Sequence, residues 1–260
     1  MLAAVVQFEA STDVDANLEA IGRQVEGAAG GGAELVVVPE AAMHDFGAPD
    51  LPLGPVAQPL DGPFVASLGE LARKAGVTVV AGMFERSDDP ARPYNTLAVV
   101  APSAGIVAHY RKAHLYDSFG YRESDRLTAG TFEPIVVPMG ELTLGLMTCY
   151  DLRFPEVSRA LVDAGADVLV VPAAWVRGPL KEDHWTTLLR ARAIENTAYV
   201  VGAGQTGTTY VGCSAVVDPM GVAVVSMGAE EGYAVADLHS AHLDEVRRRN
   251  PSLANRRLVT

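Results

Sequence analysis

The sequence predicts one large α/β domain. The chain has 260 residues, 49% of them hydrophobic, and a mean hydropathy of +0.16, so it can bury a sizeable core. Short apolar runs of strand length alternate with segments whose apolar residues recur every three or four positions, as on one face of a helix. This alternation continues along most of the chain, which favours strands covered by helices over an all-helical or all-β fold.

The first half of the chain is predicted to contain five strands and two helices. Residues 2–8 form an apolar, β-branched run, and Ser11 or Asp13 is suited to cap a helix over 14–29 that ends at three glycines. The continuous apolar run 35–38 is typical of a central strand covered on both faces. The remaining elements are a loop rich in Pro and Gly over 46–63 at the rim of the site, a helix over 64–75, a strand over 77–83, and a hairpin of strands over 94–101 and 106–110.

The second half continues the alternation. An apolar strand starts at Leu142 and is followed by a helix over 155–164, in which Pro155 fits the first turn because its missing N–H loses no hydrogen bond there. The arginines at 247–249 are interpreted as charges at a helix C-terminus. The other predicted elements are a strand over 168–171, a helix over 184–197, a strand over 199–203, a hairpin of strands over 211–217 and 222–225, and a last strand over 233–238.

Composition excludes several classes of protein. A net charge of −12 and a pI near 4.9 argue against binding to nucleic acid or to an anionic membrane surface. The two cysteines, Cys149 and Cys213, form no disulfide framework, so a reducing cytoplasm is the expected location. The chain starts without a basic leader, and no apolar run approaches the length of a membrane span.

Three polar residues directly follow apolar strands. They are Glu40 after Val-Val-Val-Pro, Lys112 in Tyr-Arg-Lys-Ala-His-Leu, and Cys149 in Leu-Met-Thr-Cys-Tyr-Asp. Each has an ordinary explanation when taken alone, as an acid at a helix start, a surface lysine and a buried structural thiol. Together they lie where α/β folds place their ligands, at the ends of strands, and this favours a shared site.

These motifs resemble the nitrilase superfamily of carbon–nitrogen hydrolases. The resemblance runs from residue 2 to the tail and is carried by Tyr-Arg-Lys-Ala-His-Leu at 110–115 and Cys-Tyr-Asp-Leu-Arg-Phe-Pro-Glu at 149–156. Tyr-Asn-Thr at 94–96 is a secondary match. It implies a four-layer α-β-β-α sandwich that pairs into dimers. It also implies a catalytic set of Glu40, Lys112 and Cys149, with Glu123 as a second acid that orients Lys112 or the substrate.

The chemistry of amide hydrolysis explains these residue types. A free thiol is only a few per cent thiolate at neutral pH, so Cys149 needs a base, which Glu40 supplies, and a positive charge, which Lys112 supplies. The oxygen that becomes negative during attack is expected to be stabilised by Lys112 and the Tyr150 N–H. The scheme requires no metal and no cofactor, and no second Cys or His lies at ligand spacing from Cys149.

Three further segments are informative within the superfamily: Trp-Val-Arg-Gly-Pro at 175–179, His-Trp at 184–185 and Gly-Ala-Gly-Gln at 202–205. Their resemblance is to the ω-amidase and deaminated-glutathione amidase branch. It implies a small amide with a carboxylate at its far end, hydrolysed with release of ammonia. Tyr150, Trp175 and Arg177 are the expected substrate-binding residues, and Arg177 is suited to pair with the carboxylate. The alternatives are an N-carbamoyl amidohydrolase or a nitrilase on the same fold, and a scaffold without catalytic activity.

Residues 1–260 are predicted to form a single carbon–nitrogen hydrolase domain. Its tail, residues 250–260, is short and basic and is expected to lie at a subunit interface. The expected partners are a small amide substrate and further copies of the chain, in a homodimer or a larger homo-oligomer.

Overall fold

Two six-stranded β-sheets pack face to face in the computed structural model, which describes residues 1–258. The first part of the chain forms β1 (Leu2–Gln7), α1 (Val14–Gly30), β2 (Leu35–Val37), α2 (Pro63–Ala75), β3 (Thr78–Glu85), β4 (Tyr94–Ala101) and β5 (Gly105–Arg111). A small hairpin follows, made of β6 (Asp117–Ser118) and β7 (Tyr121–Arg122). The rest forms β8 (Val136–Met139), β9 (Leu142–Leu146), α3 (Pro155–Asp163), β10 (Val168–Ala173), α4 (Lys181–Asn196), β11 (Tyr199–Gly204), β12 (Ala215–Val217), β13 (Ala223–Ser226), β14 (Gly232–Asp237) and α5 (Ser240–Arg249).

The two sheets have the same internal plan. The strand order is β14-β1-β2-β3-β4-β5 in one sheet and β8-β9-β10-β11-β12-β13 in the other. In both sheets, the second, third and fourth strands in this order pair in parallel. All other neighbouring strands pair antiparallel. The last strand of the chain, β14, pairs with the first, β1, from Leu2 opposite Asp237 to Gln7 opposite Gly232.

Alternate residues of each central strand enter different apolar cores. In β1, Ala3 and Val5 face the core between the sheets, whereas Ala4 and Val6 face the core under α1 and α2. The second sheet likewise packs one face against the first sheet and the other against α3 and α4. Strands buried on both faces explain the continuous apolar runs in the sequence. The predicted α/β class and four-layer α-β-β-α sandwich are confirmed.

Local signals account for the helix ends. Asp13, rather than Ser11, caps α1, because its carboxylate accepts the N–H groups of residues 15 and 16 at 3.0 and 3.1 Å. Pro63 and Pro155 occupy the first turns of α2 and α3. Gly76 ends α2 with a φ of +71°, in the left-handed region that favours glycine.

Several predicted boundaries are wrong. Helix α4 starts at Lys181, three residues before the predicted start, and β12 starts at Ala215 instead of residue 211. Strand β8 was not predicted, since an edge strand of four residues that contains a proline gives a weak pattern. The loop over 46–63 is irregular as predicted, apart from one 3₁₀ turn over Gly54–Val56.

The described part of the tail packs against α3. The Arg256 guanidinium binds both carboxylate oxygens of Asp163, at 2.6 and 2.9 Å. Leu253 adds to the apolar core beneath α3 and α4. The last two residues of the predicted tail, 259 and 260, lie outside the described residues. None of the described helices is long and apolar enough to cross a membrane.

Candidate active site

A cavity of about 640 Å³ opens beside the ends of β2, β5, β9 and β10. Its wall contains all seven residues predicted for the site. These are Glu40, Lys112, Glu123, Cys149, Tyr150, Trp175 and Arg177. They come from distant parts of the sequence and from both sheets, so the cavity lies where the two halves of the fold meet.

Glu40 is held in the cavity floor by donors on both carboxylate oxygens. The chain leaves β2 through Val38 and Pro39, and the Glu40 side chain is 1% exposed. Its Oε1 accepts the Asn95 amide at 2.7 Å and Lys112 Nζ at 2.8 Å, and its Oε2 accepts the Ala174 N–H at 2.6 Å. These bonds fix the direction of the carboxylate.

Lys112 bridges two buried carboxylates. Its Nζ donates to Glu40 at 2.8 Å and to both oxygens of Glu123 at 2.9 and 3.0 Å. Burial alone lowers the pKa of Lys112, but the charges of Glu123, Glu40 and Cys149 together raise it well above its usual value. The ammonium therefore keeps its proton. Burial raises the pKa of Glu123 although Lys112 opposes this effect.

Cys149 lies at a strained bend between β9 and a 3₁₀ turn over Cys149–Arg153. Its φ of +45° is in the left-handed region, which costs an L-residue free energy. Burial raises the pKa of its thiol well above the usual value, and the charge of Glu40 raises it further, whereas Lys112 lowers it. The resting sulfur is therefore protonated and faces a carboxylate that can accept the proton.

Asp151 joins the cysteine bend to the lysine segment, a role that the sequence did not predict. Its fully buried carboxylate accepts the Thr148 N–H at 3.0 Å and the Tyr110 hydroxyl at 2.8 Å. It also accepts the His114 N–H at 3.1 Å, and His114 Nδ1 lies 2.8 Å from it. His114 thus has a structural role, as does His44, whose Nδ1 lies 2.6 Å from the Asp45 carbonyl oxygen.

Aromatic rings form one side of the cavity. Tyr116, Phe119, Tyr150 and Trp175 all line it, and the Tyr116 and Tyr150 rings meet edge to face with centroids 5.1 Å apart. The Tyr150 N–H belongs to the first turn of the 3₁₀ helix, where backbone donors lack partners inside the helix. It is therefore free to donate to an oxygen bound above Cys149.

Four further side chains shape the site without having been selected from the sequence as site residues. Asn95 and Asp151 hold the acid and the cysteine bend, and Arg153 and Lys181 lie in the cavity wall. Asn95 belongs to a Tyr-Asn-Thr segment, one of the secondary matches to the superfamily, so a signal for it existed. Within residues 1–258, no three His, Cys, Asp or Glu side chains are grouped so as to hold a metal ion.

Residues 2–248 match the carbon-nitrogen hydrolase family, and the chain belongs to that family. The deaminated glutathione amidase of Escherichia coli O157:H7 is 39% identical over 263 residues, which cover 100% of this chain and 98% of the relative. The chain is thus a hydrolase of the nitrilase superfamily, as its motifs predict, and it is similar to the deaminated-glutathione amidase branch.

Solved structures agree with this classification. A CN-hydrolase superfamily protein of Xanthomonas campestris, with an arsenic adduct in its active site, is similar with a TM-score of 0.88 at 29% identity, over 100% of this chain and 98% of that one. A variant of the amidase from Nesterenkonia sp. AN1 is similar with a TM-score of 0.81 at 27% identity, over 98% and 99% of the two chains. In that structure, acrylamide has added to the active-site cysteine.

Proposed function

We propose that the chain hydrolyses the terminal amide of a small molecule that bears a carboxylate at its other end, releasing ammonia through a thioester on Cys149. The observation that carries the proposal is the buried network of Glu40, Lys112 and Glu123 beside the Cys149 thiol. Burying two carboxylates and an ammonium is costly in solvation free energy. Such perturbed groups in a cleft are typical of catalytic sites.

Acylation begins with a proton transfer. Glu40 accepts the proton of the Cys149 thiol while the sulfur attacks the amide carbon, and the carbonyl electron pair moves to oxygen. Lys112 Nζ and the Tyr150 N–H stabilise that oxygen. Glu40 then gives its proton to the nitrogen, the C–N bond breaks, and ammonia leaves. Glu123 acts as a positioning residue, because its two bonds to Nζ keep Lys112 directed at the cavity.

Deacylation uses the same groups with water as the nucleophile. Glu40 accepts a proton from water as the oxygen attacks the thioester carbon, and the carbonyl oxygen again rests on Lys112 and Tyr150. The C–S bond breaks, and the sulfur takes back the proton from Glu40. The products are a carboxylic acid and the free thiol, so no group outside the chain and the two substrates is consumed.

The comparisons support the choice of an amide. The Escherichia coli relative is named an amidase of deaminated glutathione, and the Nesterenkonia protein is an amidase whose active-site cysteine reacts with acrylamide. Neither name describes an enzyme that acts on a nitrile or a carbamoyl group. A terminal amide is therefore the first substrate class to test.

Mass spectrometry of the intact protein tests the thioester. During turnover of 5-amino-5-oxopentanoate we expect an added mass equal to the acyl group less the thiol hydrogen that it replaces, and none in Cys149→Ala. Cys213→Ala is the matched control, since Cys213 is the other free cysteine, and it should keep the adduct. An N-carbamoyl amino acid and a nitrile complete the panel. An adduct that persists in Cys149→Ala, or that forms with the nitrile alone, contradicts the proposal.

A glycine tests whether the position of Glu40 matters as proposed. A Cβ added at Gly82 on β3 would lie 2.5 Å from the backbone N of Ala41 and 2.7 Å from the Cα of Glu40. Gly82→Ala is therefore expected to displace Glu40 and lower kcat about 100-fold, since a shift of 1 Å is enough for such a loss. Steady-state kinetics measures the change in kcat, and urea unfolding measures the free energy of unfolding of the variant.

Gly69→Ala is the control for that variant. Its added Cβ on α2 meets no atom nearer than 4.0 Å, so the substitution should raise the free energy of unfolding by about 0.5–1 kcal/mol and leave kcat unchanged. A kcat for Gly82→Ala within threefold of the wild type would show that catalysis does not depend on the close approach of the Glu40 backbone to residue 82.

We further propose that residues 1–260 form a single hydrolase domain that works in the cytoplasm as a homodimer, with the tail over 250–260 at the subunit interface. An apolar surface patch supports the dimer. Ile194 on α4 lies against Gly221, and Ile194 and the two residues that flank this glycine, Met220 and Val222, are 46–57% exposed. The two free cysteines agree with a reducing compartment.

A further inference from the structure

Two cationic side chains in the cavity have no carboxylate partner in the described part of the chain. Arg153 and Lys181 both line the cavity, and neither takes part in a salt bridge within residues 1–258. The three most deeply buried charges of the cavity, Glu40, Glu123 and Lys112, bind one another. The catalytic network therefore leaves two positive charges over, in a protein whose net charge is −12.

Lys181 places its ammonium among aromatic rings. Its Nζ donates to the Tyr116 hydroxyl at 2.9 Å and lies 4.3 Å from the centroid of the Phe119 ring and 5.6 Å from that of the Trp175 ring. The residue as a whole is 5% exposed. An ammonium has three protons to donate, so two are left for an acceptor in the cavity.

Arg153 reaches the same aromatic wall. Its Cζ lies 4.8 Å from the centroid of the Trp175 ring and 6.0 Å from that of the Phe119 ring. One terminal nitrogen lies 3.3 Å from His184 Nδ1, and its buried Nε has no hydrogen-bond partner among the described residues. Because both cations lie over the same two rings, they border the same volume of the cavity.

The two charges destabilise each other. Burial lowers the pKa of Lys181, and the positive charge of Arg153 lowers it further, whereas negative charge on Cys149 raises it. Lys181 is thus near enough to Arg153 and to the reactive sulfur to respond to both. An anion between the cations would replace this repulsion by attraction in a partly dry site, where charges interact strongly.

Lysine is rare in this chain, which adds weight to its presence here. The sequence contains three lysines, Lys74, Lys112 and Lys181. Two of them line the cavity, and Lys74 is on the surface with Glu26.

We propose that Lys181 and Arg153 bind the carboxylate of the substrate, at the end remote from the amide that Cys149 attacks. This inference rests on the proposed function and names the residues that select anionic amides over neutral ones. The apolar spacer between the two ends of the substrate packs on Phe119 and Trp175. Arg177, expected from the sequence to have this role, already lies 3.4 Å from the Glu182 carboxylate.

A pair of substrates that differ only in charge tests the proposal. We expect Lys181→Met to lower kcat/KM for 5-amino-5-oxopentanoate about 10- to 100-fold, mainly through KM, because one charged hydrogen bond is lost. For the methyl ester of the same amide, kcat/KM should change less than threefold. Lys181→Arg keeps the charge and should therefore lose less of kcat/KM for the charged amide than Lys181→Met does. Lys74→Met is the matched control and should leave kcat/KM unchanged for both substrates.

Binding without turnover separates this proposal from the proposed function. Titration calorimetry of glutarate into Cys149→Ala and into Cys149→Ala with Lys181→Met should show about 10- to 100-fold weaker binding to the second protein. That result holds even if the wild type hydrolyses neither amide, an outcome that would remove the proposed function alone. Equal affinities of the two proteins, or a loss of carboxylate preference in Arg177→Met and not in Lys181→Met, would overturn the proposal.

Discussion

Glu40→Gln is expected to lower kcat/KM for amide hydrolysis about 10²- to 10⁴-fold, the range for loss of a general base. Burial holds the pKa of the Cys149 thiol well above its usual value, so little thiolate exists before attack. Glutamine keeps the size of the side chain and one oxygen for the Ala174 N–H or the Asn95 amide. It cannot accept the thiol proton, so the variant should fold and fail in acylation.

The pH dependence of cysteine alkylation checks that assignment. In Glu40→Gln, burial still raises the pKa of the Cys149 thiol, so the rate of its alkylation by iodoacetamide should rise steadily with pH through the neutral range, as the thiolate forms without help from a base. The wild type should show a shallower rise, because Glu40 accepts the proton.

Glu85→Gln is the matched control for the loss of a buried carboxylate. Glu85 is 4% exposed and binds Arg111, outside the cavity wall, so its replacement should lower stability and leave the alkylation profile unchanged. If Glu40→Gln and the wild type had the same profile, Glu40 would not be the base.

Lys112→Met is expected to damage both activity and folding. Without the ammonium, the carboxylates of Glu40 and Glu123 stay buried with no counter-ion, which should cost about 3–5 kcal/mol of unfolding free energy at neutral pH. The activity should fall about 10²- to 10³-fold through loss of an oxyanion donor. Denaturant unfolding and steady-state kinetics measure the two effects, and Lys74→Met, on the surface, should change neither.

The stability deficit of Lys112→Met has a defined pH dependence. Burial already raises the pKa of Glu123, and loss of Lys112 raises it further, so the folded variant binds a proton that the unfolded chain releases. The stability of the variant therefore decreases as pH rises from the pKa of Glu123 in the unfolded chain towards its raised pKa in the folded variant. The deficit in unfolding free energy relative to the wild type is smaller at pH 5 than at pH 8. Adding Glu123→Gln should restore part of the stability and none of the activity. A deficit that does not change with pH would contradict this account.

The convergence of strand ends is why the sequence could predict that the three polar residues lie around one cavity. Glu40, Lys112 and Cys149 each follow an apolar strand directly, and in a sandwich of sheets those ends meet around one cavity. Their local motifs also carry the resemblance to the family. The prediction needed only the positions of the apolar strands and of the polar residue that follows each one, and both can be read from the sequence.

The far side of the cavity was not predictable in the same way. Lys181 enters the cavity because α4 starts one turn before the predicted start, and no Ser, Thr, Asp or Asn marks that start. Leu180 precedes it with a φ of +59°, a conformation that its side chain does not favour. Arg153 lies within the cysteine motif, but its direction depends on the 3₁₀ turn, which Asp151 fixes through contacts with distant residues.

The pairing of β14 with β1 has a consequence for biosynthesis. The ribosome makes β1 before β14, so the outer edge of β1 has no hydrogen-bonding neighbour until residues 232–237 leave the exit tunnel. Until β14 is made, the nascent protein therefore exposes an open strand edge of the kind that pairs wrongly with other chains. Chaperones that shield such edges are expected to act on this enzyme between the synthesis of β1 and that of β14.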